Sequence, residues 1–146
     1  MSAQTMAGEI SRSMDPDVYR IGEGDDPVIT LLGSRSDAVG QLYWPPRERC
    51  PLTGGSVSGV ELPGTGTLWT WTYVYAPWHG EERPGDEHGY SAGLVDLDDG
   101  GPRVVAVLRG GPTAWKVGDR AVACALPFRT ESGVTRFLLA FGRTDS

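Results

Sequence analysis

From Gly64 onward, apolar residues alternate with polar ones or form short continuous runs, and Gly, Pro and Asp bound each run. This period of two is that of half-buried strands, and no stretch carries the 3.6-residue period of a strong amphipathic helix. The run GTLWTWTYVYAP sets Trp69, Trp71, Tyr73 and Tyr75 on one face and Leu68, Thr70, Thr72 and Val74 on the other. It is long enough to bend and serve two sheets of a barrel. Tyr90–Leu97 and Pro102–Leu108 flank Asp98-Asp-Gly-Gly101, a strong hairpin signal. Thr113–Asp119 then reads as a connection or short helical turn, before strands at Arg120–Leu126 and Val134–Phe141. Five strands with a long first member and a crossing segment between the third and fourth predict an all-β fold, a five-stranded OB barrel. A generic Greek-key barrel or sandwich is the alternative.

Upstream, Pro27–Leu32 is a short apolar run that reads as a strand. The first residues, MSAQTMAGEISRSMDPD, have no uninterrupted apolar stretch of the signal-peptide or membrane-spanning kind and read as a polar, mobile tail. A cytoplasmic location is the corresponding expectation. The organisation expected is a flexible tail over 1–26, a small segment over 27–62 and the barrel over 63–143.

The chain has 146 residues and a net charge of −6, which disfavours a nucleic-acid partner held by phosphate neutralisation. Lys116 is the only lysine; arginine carries the rest of the positive charge, and its planar fork suits carboxylate and phosphate. Cys50 and Cys124 are too few for a disulfide framework and read as free thiols, with Cys124 a small core residue of its strand.

Between Gly33 and Gly54 the sequence GSRSDAVGQLYWPPRERCPLTG follows the outline of a zinc ribbon, G-x-R-C-x-x-C-G, an aromatic stretch, P-P-R and C-P-x-C-G. Only Cys50 stands at a ligand position; Ser36, Val39 and Thr53 occupy the other three. A single thiolate cannot replace four soft ligands, so no metal and no zinc are expected. Together with Gly64-Thr-Gly66, Leu68-Trp69-Thr70 and Lys116-Val-Gly-Asp119, this segment resembles the rubredoxin-like zinc-ribbon plus OB-fold family of acyl-CoA-associated accessory proteins, domain of unknown function thirty-five. The resemblance spans roughly residues 28 to 141.

The resemblance implies a non-catalytic accessory subunit in a hetero-oligomer with a thiolase-superfamily enzyme: a thiolase, a lipid-transfer-type aldolase or a ketosynthase-like protein. Such a partner acts on CoA or carrier-bound acyl thioesters, so a CoA thioester is a possible ligand of the complex. No membrane partner is expected. The family's N-terminal helix has no clear match in Met1–Asp26, where Val18–Ile21 is the one candidate remnant.

Candidate contacts to a partner or acyl-CoA are Arg35, Tyr43, Trp44, Arg47 and Arg49 of the ribbon, and Trp69, Trp71 and Tyr73 of the first barrel strand. Arginine beside aromatic rings can hold phosphate and adenine, or anchor an interface; the same rings can equally fill a small metal-free core. The aromatic strand reads as cross-strand packing, a stacking platform or a partner surface, some rings being covered by the ribbon and the rest by another protein. The polar loop WHGEERPGDEHG is expected to be exposed and flexible, and its His79, Glu81, Glu82, Asp86, Glu87 and His88 are the place for a metal or for proton transfer if the chain were a small independent enzyme. An OB-type module for nucleic acid or a small ligand is the remaining alternative.

Overall fold

The computed structural model describes residues 12–24, 27–80 and 82–144. Its strands are β1 (Tyr19–Ile21), β2 (Ile29–Ser36), β3 (Leu42–Tyr43), β4 (Val57–Leu62), β5 (Thr65–Val74), β6 (Tyr90–Leu97), β7 (Arg103–Leu108), β8 (Arg120–Arg129) and β9 (Thr135–Arg143). No helix occurs among the described residues. Strands β5 to β9 close a barrel in the order β9-β7-β6-β5-β8, with β8 returning to β9. All neighbours are antiparallel except β7 and β9, which pair in parallel. This is the expected OB arrangement.

Two features of β5 make closure possible. Its first residues pair with both β6 and β8, so one strand serves two sheet faces. At Gly66, a Cβ would run into the Asp96 carbonyl oxygen and lie 2.8 Å from Val95 Cγ1, so the backbones approach closely only because no side chain is present. The hairpin between β6 and β7 forms as its sequence requires, with Asp99 and Gly100 both at positive φ.

In the N-terminal sheet β2 is central. β1 and β3 lie end to end on one edge, and β4 runs along the other. The tail expected over residues 1–26 is corrected in its described part. Ser13 and Tyr19 are buried, Ser13 bridges to Phe137, and Val18–Ile21 contributes a strand rather than a helical remnant. Apolar Tyr19 and Ile21 next to a free edge of β2 explain the difference. Residues 1–11 lie outside the described residues.

The two sheets share a core. Tyr19, Ile29, Leu31 and Leu62 pack in one cluster with barrel residues that include Leu68, Val95, Val104, Leu108 and Phe141. Trp115, in the crossing segment, is buried in the same cluster and donates its indole N–H to the Arg109 carbonyl at 2.9 Å.

Candidate functional site

The loops between Gly33 and Gly54 bring Ser36, Cys50 and Thr53 into one neighbourhood, with Val39 beside Ser36. Cys50 is buried, and the Ser36 and Thr53 hydroxyls and the Tyr43 hydroxyl, the last at 3.6 Å, surround its sulfur. Those hydrogen bonds, the one from Ser36 foremost, pull the thiol down to about 6 against the opposing effect of burial. The same contact pushes the Tyr43 phenol up. Val39 is exposed and brings only its amide, which donates to Ser36 Oγ at 3.3 Å. One thiolate, two hydroxyls and a valine do not fit zinc, which needs nitrogen and sulfur ligands in a closed tetrahedron.

Around this knot the aromatic residues are structural in their contacts. Trp44 packs against the common core and donates its indole N–H to the Val18 carbonyl at 2.9 Å, tying β3 to the segment ahead of β1. Arg47 anchors its amide on Ser34 Oγ at 2.8 Å and lays its guanidinium over the Tyr43 ring. Arg49 reaches the Gly54 carbonyl, and Arg35 points from the exposed side of β2.

The expected four-ring ladder on β5 is corrected by a β-bulge. Register passes from Leu68 opposite Val95 to Thr70 opposite Leu94, leaving Trp69 as the extra residue. Beyond it the faces exchange: Trp71 stands opposite Gly93 and packs, half-buried, against the core cluster. Tyr73 and Tyr75 stack edge to face with centroids 5.0 Å apart, and the Tyr73 hydroxyl donates to Asp86. Trp69 stands alone on the outer face, 48% exposed, with the Arg103 guanidinium 3.7 Å above its ring and Arg103 Nε donating to Asp96 at 2.6 Å.

That outer face of β5, β6 and β7 carries Trp69, Leu94 and Val105, the last 60% exposed, beside a shallow groove of about 340 Å³. The eight candidate contacts therefore fall into two sets, one in the ribbon and one on the barrel. Within the barrel set only Trp69 has its ring presented outward on a fixed support. Sequence reasoning missed Arg103, Asp96 and Val105. Their signal lay in the alternation of RVVAVL, where inward Val104 obliges Arg103 and Val105 to face out.

The loop between β5 and β6, expected to be exposed and flexible, is pinned in its described residues. Asp86 accepts hydrogen bonds from Tyr73, the His88 amide and the Gly89 amide, and these hold its carboxyl below the usual range. Glu82 pairs with Arg109, Gly110 donates its N–H to the Pro84 carbonyl, and Trp78 packs on Tyr90 and Phe128. Glu82 and Asp86 are thus committed to structural partners, and Glu87 lies 3.7 Å from the His88 ring. No cluster of three or more metal-ligating side chains occurs among the described residues. Glu81 lies outside them.

Residues 59–125 match the family described as ChsH2, C-terminal OB-fold domain. A chain of the Ltp2-ChsH2(DUF35) aldolase is similar over 78% of this chain and 84% of its own, at 29% identity and a TM-score of 0.59. A protein of unknown function from the DUF35 family of Sulfolobus solfataricus is similar over 78% of this chain and 75% of its own, with 18% identity and a TM-score of 0.51, and shares the fold. The metal-binding form of the ribbon is not part of what these matches show. The match over residues 59–125 and the likeness to the ChsH2-containing aldolase support an OB-fold domain of the DUF35 type.

Proposed function

We propose that this chain is an accessory subunit that binds and supports a thiolase-superfamily enzyme acting on CoA or carrier-bound acyl thioesters. The observation that carries the reading is its similarity, through most of both chains, to a chain of an Ltp2-ChsH2(DUF35) aldolase. A lipid-transfer-type aldolase is accordingly the first partner to test. The outer face around Trp69 supports it: an exposed indole held by Arg103 and Asp96, next to Val105, is the composition of an interface anchor.

In this reading the chain supplies no catalytic group. The histidine loop is occupied by internal contacts, the Cys50 thiol is buried within its hydroxyl shell, and the thioester chemistry resides in the partner. The ribbon works without zinc, held by the Cys50 knot, Trp44 and the shared core. The complex is cytoplasmic; no helix among the described residues is long and apolar enough to cross a membrane.

Co-expression of the full chain with a lipid-transfer-type thiolase-superfamily enzyme from the same genome tests the reading. A hetero-oligomer that co-elutes on size exclusion and turns over acyl-CoA is the expected result. A chain that stays solitary beside every such enzyme overturns it. Elemental analysis of the same preparation tests the ribbon, where stoichiometric zinc would contradict the metal-free reading.

A further inference from the structure

The barrel is not sealed evenly along its parallel seam. β9 pairs with β7 only at Ala140–Val107 and Phe141–Leu108, and below these pairs the two strands part. Residues 12–14 fill the β9 side of the opening: Phe137 N–H donates to the Arg12 carbonyl at 2.6 Å and Met14 N–H to the Phe137 carbonyl at 2.9 Å. Among the described residues, the β7 side has no such hydrogen-bonded cover.

Register identifies which backbone groups are left. Arg109 N–H donates to the Phe141 carbonyl at 2.9 Å, so odd-numbered residues of β7 direct their N–H and C=O toward β9, and even-numbered ones toward β6. Val105 faces the opening and has no strand partner there among the described residues. Beside it runs a groove of about 350 Å³ lined by Met14, Val18, Trp44, Val105 and Leu138, with Asp15 as its one acidic member.

We propose that this groove receives a short extended apolar segment of the partner enzyme, added as a strand to the β7 edge at Val105. An apolar hollow alone would accept many shapes. Here one wall is a strand edge offering a donor and an acceptor on one residue, and only an extended backbone satisfies both while its side chains enter the groove. The site is continuous with the outer face described above, because Val105 lines both hollows. A partner suits it better than a second copy of this chain, since each copy carries a net charge of −6.

The inference rests on the accessory-subunit reading, and hydrogen exchange separates the two. The Val105 amide is followed in the isolated chain and in the complex with the thiolase-superfamily partner. It is expected to exchange freely in the former and to be slowed at least about tenfold in the latter, as for an amide that gains a buried hydrogen bond. Val105→Pro removes this one N–H at a position where an edge strand tolerates proline, and is expected to weaken the complex about tenfold. Val105→Thr, which keeps the N–H but adds a hydroxyl, is expected to weaken the complex less than Val105→Pro.

Failure to form any complex defeats the accessory reading itself. A complex in which Val105 exchanges as in the free chain overturns only the strand addition. Protection already present in the isolated monomer, or rising with concentration of the chain alone, overturns it in favour of the chain's own segment or a second copy. If the proline variant does not fold, exchange in the wild-type complex decides.

Discussion

The hydroxyl of Tyr19 donates a hydrogen bond to the carbonyl of Phe137 at 2.9 Å, joining β1 of the small sheet to β9 of the barrel across 118 positions of sequence. Both residues are buried, and the Phe137 carbonyl also accepts the Met14 amide. Tyr19→Phe is expected to lower stability by about 1 kcal/mol, because the carbonyl keeps one partner. Tyr19→Ala, which also opens a cavity, should cost about 3 kcal/mol or more. Urea unfolding of the full chain measures both; equal and negligible losses would show that the small sheet does not support the barrel.

The bulge predicts opposite behaviour for two adjacent tryptophans. Trp71 packs on the core, so Trp71→Ala should destabilise by about 3 kcal/mol. Trp69 has solvent on one side and Arg103 on the other, so Trp69→Ala should change stability by about 1 kcal/mol or less. Thermal melts of the isolated chain distinguish the two, and equal losses would mean that the strand keeps its simple alternation, with both rings on one face.

The Cys50 knot has a signature in pH. Its thiol stands at about 6 in the folded chain, below the value of about 8.5 for a free thiol in the unfolded one. A depressed acid stabilises the fold fully above its unfolded value, and that contribution is lost as pH falls through about 6. The stability advantage of the wild type over Cys50→Ala should therefore be larger at pH 9 than at pH 5. Urea midpoints at the two pH values test this, and a constant difference would remove the thiolate.

Asp98 gives a second, more acidic window. It accepts hydrogen bonds from Arg120 Nη1 at 2.9 Å and Nη2 at 2.5 Å, and from the Thr65 hydroxyl at 2.6 Å, which hold it at about 2. The stabilisation it brings is complete above about pH 4 and disappears as pH falls through 2. Asp98→Asn should unfold more easily than the wild type at pH 6, and the gap should close toward pH 2 in acid titrations followed by circular dichroism.

At Gly66 the constraint is steric. Gly66→Ala places a methyl group against the Asp96 carbonyl and Val95, and overpacking of this kind typically costs about 1–3 kcal/mol. A melt of the variant at the wild-type temperature would show that the closure of β5 on β6 is looser than described.

Much of the barrel was legible because its strands announce themselves through period two and its hairpin through Asp99 and Gly100. The end of β8 was not. The sequence around Pro127 looks like a break, yet Pro127 stands opposite Phe137 and the strand continues to Arg129. The packed segment from Arg12 to Ile21 was also hidden, since its order comes from distant acceptors such as Phe137 and not from its own pattern. In the candidate site, the convergence of Ser36, Cys50 and Thr53 followed from the ribbon outline, whereas the isolation of Trp69 depended on one extra residue in a ladder, which periodicity cannot detect.

That extra residue acts as a phase switch. Side chains on a strand keep their sides only while the count between them is even, and the bulge at Trp69 makes it odd once. Because of it Leu68 and Trp71, three positions apart, both reach the inner face. Deleting Trp69 would leave them two positions apart, so both would keep that face on a regular ladder. The exposed indole is thus the residue the ladder leaves over, and losing it would strip the outer face of its Arg103-backed ring while Leu68 and Trp71 stay inside.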